Sequence, residues 1–133
     1  MSVHVMARIA AAAAVVASVT SFAPAEIKGD YNLEFTVGEN SYTGTAKTTA
    51  GAKGAFTAKF TFTSPSPIDS DVTGKTAGDS VSFDAKYVDS GRNCSGTFTG
   101  KGTVATDGSK ASGAVAIKDS CEGDIAGTFR LWR

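Results

Sequence analysis

From Asp30 onward the chain alternates. Tyr31, Leu33, Phe35 and Val37 are separated by Asp30, Asn32, Glu34 and Thr36, so every second side chain belongs to one apolar set. A period of two is the mark of a half-buried β-strand, because successive strand side chains point to opposite faces. The same rhythm returns in Tyr42, Gly44, Ala46 and Thr48, and in Phe56, Ala58, Phe60 and Phe62. It continues in Ile68, Ser70, Val72, Gly74 and Thr76, in Val81, Phe83, Ala85 and Tyr87, and in Ile125, Gly127, Phe129 and Leu131. Helical spacing never persists for more than a turn in this part of the chain.

Turn residues punctuate the strands. Gly38-Glu39-Asn40-Ser41 is expected to turn the chain after the first strand, and Ser64-Pro65-Ser66-Pro67 stops the third because proline cannot donate to a ladder. Gly78-Asp79 reads as a two-residue hairpin with glycine at its first central position. Asp89-Ser90-Gly91-Arg92-Asn93 reads as a loop. Asp107-Gly108 reads as a type I′ turn, and counting back from it symmetrically sets Thr106 opposite Ser109, Phe98 opposite Ile117 and Gly102 opposite Gly113. The same count sets Cys94 opposite Cys121, the only two cysteines. They are expected to form a disulfide across the open end of that hairpin, at a hydrogen-bonded pair whose Cα spacing of about 5.5 Å suits the bond.

A small phrase built round glycine recurs on five strands: Thr43-Gly44-Thr45, Thr73-Gly74-Lys75, Ser95-Gly96-Thr97, Ser112-Gly113-Ala114 and Ala126-Gly127-Thr128. Each glycine falls on the inward set. Bare backbone there permits a sharply coiled sheet with aromatic rings laid against it, Phe35 and Phe60 beside Gly44 and Phe83 opposite Gly74. The fold predicted is all-β, an eight-stranded antiparallel up-and-down barrel closed through its first and last strands, with a two-sheet β-sandwich as the alternative. The outward set, including Thr43, Lys47, Lys59, Asp69, Asp71, Lys86, Lys101 and Arg130, excludes a bilayer-spanning barrel, which needs apolar residues outside.

Residues 1–25 differ in kind. Arg8 precedes an Ala/Val/Ile run, and Ala23-Pro24-Ala25 is a small-x-small site, together the pattern of a secretory signal peptide cleaved after Ala25. Retention of that segment as an anchor is the alternative. The chain then divides into a leader at 1–25 and one barrel domain at 26–133, exported to a periplasmic or extracellular space whose oxidising conditions allow the disulfide. The 13 basic and 13 acidic residues are dispersed, so no run of positive charge is present to neutralise phosphates and nucleic acid is excluded as a partner.

The opening Gly29-Asp30-Tyr31, the sequential hairpins and the closing Gly127-Thr128-Phe129-Arg130-Leu131-Trp132 resemble the lipocalin, avidin and fatty-acid-binding group of small β-barrels. The resemblance spans residues 26–133 and implies a closed barrel able to hold a ligand inside. It carries over no individual binding residue.

Chemistry is sparse. His4, the only histidine, falls in the leader, and both cysteines are committed to each other, so the usual general base, imidazole ligand and thiolate nucleophile are missing. No enzyme, no cofactor and no metal site is expected. Asp119, Glu122 and Asp124, grouped near the disulfide, read as solvated charge. The looser barrel end gathers Tyr42, Phe62, Tyr87 and Arg92 as a candidate ligand mouth. Arg130, Trp132 and Arg133 form a candidate contact for a partner, because a large ring on a polar face invites one. Two functions follow: a non-catalytic structural or interaction protein, such as an extrinsic subunit of an envelope or membrane-associated complex, or a carrier of a small apolar ligand. An internal void at the Tyr42 and Tyr87 end would favour the carrier.

Overall fold

The computed structural model describes residues 25–133; the leader expected at residues 1–25 lies outside the described residues apart from Ala25. Eight strands follow in chain order: β1 Gly29–Val37, β2 Asn40–Ala50, β3 Ala55–Ser64, β4 Ile68–Ala77, β5 Ser80–Asp89, β6 Cys94–Val104, β7 Lys110–Asp119 and β8 Gly123–Trp132. Each pairs antiparallel with the next. β1 also pairs with β8, Leu33 opposite Leu131 and Phe35 opposite Phe129, so the sheet is a closed barrel and not a sandwich. Closure removes the unpaired edges that would template aggregation.

The period of two sorts the side chains as expected. Phe60, Phe83, Leu33, Leu131, Val72 and Val115 are almost wholly enclosed, while Val88 is the one exposed large hydrophobic among the described residues. Aromatic rings fill the middle of the barrel mostly edge to face: Phe35 against Phe98 with centroids 5.1 Å apart, Phe60 against Phe83 at 5.5 Å and Phe83 against Phe129 at 4.9 Å. That geometry sets the positive edge of one ring against the negative face of the next. No helix among the described residues is long and apolar enough to cross a membrane, and the outward positions carry Thr, Lys and Asp where a bilayer barrel carries an apolar band.

Two hairpins differ from the expected register by two residues. β1 and β2 are joined by Gly38-Glu39 alone, with Val37 opposite Asn40, so the four-residue turn expected at Gly38–Ser41 is corrected. Gly38 adopts φ +62°, a conformation open to glycine, in the same Gly-acidic pair as Gly78-Asp79. Leu33 and Phe62 therefore face Gly44, not Phe35 and Phe60. A two-residue slip changes partners and leaves the faces intact, whereas a one-residue slip would have inverted them. Phe83 does stand opposite Gly74, but the ring against Gly74 is Phe56 and the ring against Gly100 is Phe83.

The β6–β7 register is the one read from the sequence, from Gly96 opposite Asp119 to Val104 opposite Ala111. Its turn is longer. Ala105 N–H donates to the Lys110 carbonyl at 2.9 Å and Gly108 N–H to the Ala105 carbonyl at 2.8 Å, so residues 106–109 make a four-residue loop centred on the expected point. The longer loop keeps every facing pair and exchanges which pairs are hydrogen bonded. Ala105 with Lys110 is a bonded pair, and so is Ser95 with Ser120, whose N–H donates to the Ser95 carbonyl at 2.7 Å. The cysteines lie one step further on, at a non-bonded site, with Cys121 already in the β7–β8 turn and the two Cα atoms 5.8 Å apart. The disulfide is present; its assignment to a hydrogen-bonded pair is corrected.

The end carrying Gly78 and Gly108 is stoppered by the chain itself. Ala25 and Ile27 are buried in the core. The buried Thr76 hydroxyl donates to the Ala25 carbonyl at 2.6 Å, the Tyr31 hydroxyl to the Gly108 carbonyl at 2.6 Å, and Arg133 Nη2 to the Lys28 carbonyl at 2.8 Å. Sequence reading began the barrel at Glu26 and assigned this segment no role, because four residues are too few to display a period.

Cys94→Ser is expected to lower the unfolding midpoint under non-reducing conditions, with a loss of about 3.5 kcal/mol in the chain-entropy model for a loop of this length; equal midpoints for variant and wild type by circular dichroism would count against a structural disulfide. Ile27→Ala is expected to cost about 2–5 kcal/mol in denaturant unfolding, the range for emptying a filled core site, where an idle tail residue would cost almost nothing.

Candidate functional site

At the opposite end the barrel is open. The β3–β4, β5–β6 and β7–β8 loops rise round a cavity of about 210 Å³. Its floor and walls are the last inward residues of the strands, Phe35, Phe62, Ile68, Phe98, Ile117 and Ile125. Its rim is polar: Asn40, Tyr42, Tyr87, Arg92, Asp119 and Glu122. Tyr42, Phe62, Tyr87 and Arg92, the residues singled out in the sequence, all line this one space. A larger groove of about 710 Å³ runs over the outer face of β3 to β6 between Lys59, Asp69, Asp71, Asp84 and Lys86; it is a solvated saddle between charged side chains and encloses nothing.

One guanidinium organises the rim. Arg92, on the β5–β6 loop, spans three carboxylates: its Nε donates to Asp89 Oδ2 at 2.7 Å, its Nη2 to Asp119 Oδ2 at 3.2 Å and its Nη1 to Glu122 Oε2 at 3.2 Å. The Asp89 side chain is wholly enclosed and the Asp119 side chain only 1% exposed. Burying carboxylates is costly unless each is paired and hydrogen bonded. Asp119 meets that condition in full. Its Oδ2 accepts from the Tyr87 hydroxyl as well as from Arg92, and its Oδ1 accepts the Cys121 N–H at 2.8 Å and the Glu122 N–H at 3.1 Å. Asp119 thus shapes the turn that carries the second cysteine. Asp89 meets it by half: Oδ1 is buried with no partner.

These contacts move protons. The Tyr87 hydrogen bond, helped by the two turn N–H groups and Arg92 against the effect of burial, holds Asp119 below the usual carboxyl range. Burial and then the Asp119 carboxylate push the Tyr87 phenol well above its ordinary value, so it stays protonated. The Asp89 hydrogen bond raises Arg92 further still.

Sequence reasoning had set Asp89 in a loop and Asp119 among solvated charges. Both expectations are corrected. The signal for each was available: the inward series Val81, Phe83, Ala85, Tyr87 arrives next at Asp89, and Val115, Ile117 arrives next at Asp119. A carboxylate interrupting an inward series marks a buried, partnered charge. Asp119 also lies within 4.8 Å of both cysteine sulfurs, which the disulfide withdraws from metal ligation.

The other candidate residues sit on the far side of the barrel wall. Arg130 lies over the Trp132 ring at 4.3 Å and its Nε donates to Glu34 at 2.8 Å. Arg133 covers the Tyr31 ring at 4.9 Å and donates to Tyr31 Oη at 3.0 Å. Trp132 is half-buried between them in sequence, at the outward position opposite Lys110 and Asn32.

No protein-family model matches the chain, and no curated protein matches it. Among solved structures it is similar to a redesigned β-barrel, with 17% identity over 80% of this chain and 90% of that one and a TM-score of 0.59. It is also similar to a de novo designed fluorescence-activating β-barrel, with 14% identity over 78% of this chain and 92% of that one and a TM-score of 0.50. The likeness is one of fold, a small eight-stranded barrel, and no lipocalin or avidin relative stands among these structures.

A carboxylate with a depressed native value binds fewer protons folded than unfolded, so its contribution is present above the unfolded value of about 3.9 and disappears as pH falls through the native one. Wild-type stability is expected to fall as the medium is acidified below about pH 4, and Asp119→Asn to flatten that fall while lowering stability at neutral pH. Urea midpoints measured down the acid limb check it; parallel limbs for the two proteins would remove Asp119 from the account.

Proposed function

We propose that this is an exported, non-catalytic barrel that binds a small ligand in the mouth cavity, its apolar part against the phenylalanine and isoleucine walls and its polar part at the Arg92 rim. The observation that carries the reading is the partly open space of about 210 Å³ above a core that is otherwise packed shut. An apolar cavity of about 150 Å³ takes up benzene, so the mouth has room for a ring with a short substituent. Concave, mainly apolar walls with a few convergent polar groups are the usual form of a ligand site. The disulfide supports export, since such bonds persist in oxidising compartments, as does the leader pattern at residues 1–25. The designed fluorescence-activating barrel is a fold neighbour only, yet it illustrates that barrels of this size accommodate added function.

The interaction-protein reading, with Arg130, Trp132 and Arg133 as contact to a protein partner or a membrane-associated complex, ranks second. In its favour the Trp132 ring keeps part of its surface open on the outer wall. Against it, both arginines already serve their own chain.

Ethylbenzene titrated into the purified protein is expected to shift the methyl resonances of Ile68, Ile117 and Ile125 saturably, and Ile125→Trp, which fills the mouth, to abolish the response. Absence of any saturable shift in the wild type would overturn the reading.

A further inference from the structure

The ligand's polar group has a sign. We propose that the mouth selects an organic cation, a primary or secondary ammonium carried on a short aromatic or branched apolar body. This rests on the ligand-binding reading above and adds to it the chemical class of the occupant.

Selectivity depends on the charge of the rim and on which of its polar atoms keep unused capacity. Among the described residues Arg92 is the one cation lining the cavity, and three of its five N–H groups, one on each nitrogen, already donate to carboxylates. Around it stand Asp89, Asp119 and Glu122, so the cluster carries two more negative charges than positive. Asp119 has both oxygens doubly occupied. Tyr87 has its only proton committed to Asp119, which leaves the phenol oxygen able to accept and unable to donate. Glu122 uses Oε2 for Arg92, and its side chain is 57% exposed at the cavity rim; among the described residues no hydrogen bond occupies its Oε1. Left over at the rim are two N–H groups of Arg92, the Asn40 amide with both donors and an acceptor, and the acceptor lone pairs of Tyr87 and Glu122; donors and acceptors are both present, and the excess of negative charge is what favours a cation.

An ammonium matches this inventory in three ways. It supplies two or three donors to the acceptors of Glu122, Tyr87 and Asn40. It offsets the excess negative charge at short range, where a low surrounding dielectric strengthens the attraction. Tyr42 and Phe62 line the wall, and aromatic rings attract cations through their quadrupole. A carboxylate ligand would have to compete with three resident carboxylates for one guanidinium. A neutral alcohol could donate to Glu122 and would gain nothing from the field.

Three probes with the same phenethyl body separate the possibilities: phenethylammonium, 2-phenylethanol and 3-phenylpropanoate, titrated by calorimetry into the full folded protein at neutral pH and low salt. The expected order is ammonium first, alcohol second, carboxylate last, with at least about a tenfold gap between the first two, equivalent to about 1.4 kcal/mol. Glu122→Gln, at an exposed position that leaves the core intact, is expected to remove most of the gap by weakening the ammonium far more than the alcohol. Added salt is expected to narrow the gap likewise. Equal affinity for ammonium and alcohol, or tightest binding of the carboxylate through Arg92, would overturn the cation selectivity and leave ligand binding standing. Binding of none of the three would remove both.

Discussion

Pairing of the first strand with the last commits every second side chain in this protein to one enclosed volume. Leu33 against Leu131 and Phe35 against Phe129 hold the seam, and once the sheet is sealed there no inward residue can reach solvent except at the two ends. The interior must then be filled or left as a cavity. In the middle it is filled by interlocking phenylalanines, with glycines such as Gly74 and Gly100 leaving room for the rings of Phe56 and Phe83. Large beside small is how a tightly curved wall keeps interior density near that of a crystal.

The two ends meet the same constraint by opposite means. At the Gly108 end the segment from Ala25 to Lys28 lies across the opening, giving the Thr76 hydroxyl its acceptor at Ala25 and burying Ile27, while the Tyr31 hydroxyl donates to the Gly108 carbonyl. At the other end no segment crosses, and inward positions at the strand tips are occupied by carboxylates. Asp89 and Asp119 would be prohibitively placed if unpaired. Arg92 joins them, Tyr87 completes Asp119, and the disulfide between Cys94 and Cys121 ties together the two loops that bring these groups into range. Restraint of the mouth loops is thus a by-product of keeping two charges enclosed, and the proposed ligand would meet charged groups that already hold one another in place.

Much of this was legible along the chain. Eight alternating runs, the polar outer set and the centring of both cysteines on Asp107-Gly108 specify a soluble-faced barrel with one cross-link, and the mouth residues Tyr42, Phe62, Tyr87 and Arg92 follow from which strand ends share the longer loops. The same logic failed where loop length entered. The Gly38-Glu39 turn and the four-residue loop at residues 106–109 moved hydrogen-bonding partners without disturbing faces, because faces depend on parity alone. Asp89 and Asp119 escaped notice as buried charges for a different reason: a carboxylate at the end of an apolar series reads as the start of a loop.

What the sequence by itself determined is therefore the set of side chains that turns inward, since alternation is a local property of an extended backbone and survives any even slip. What only the tertiary structure decided is which of those side chains meet. That the carboxylates of residues 89 and 119 converge on a guanidinium at 92, and that a short segment at residues 25–28 closes one end while the other stays open, depends on closure of the barrel. Closure brings into contact residues whose separation in the chain leaves no local trace.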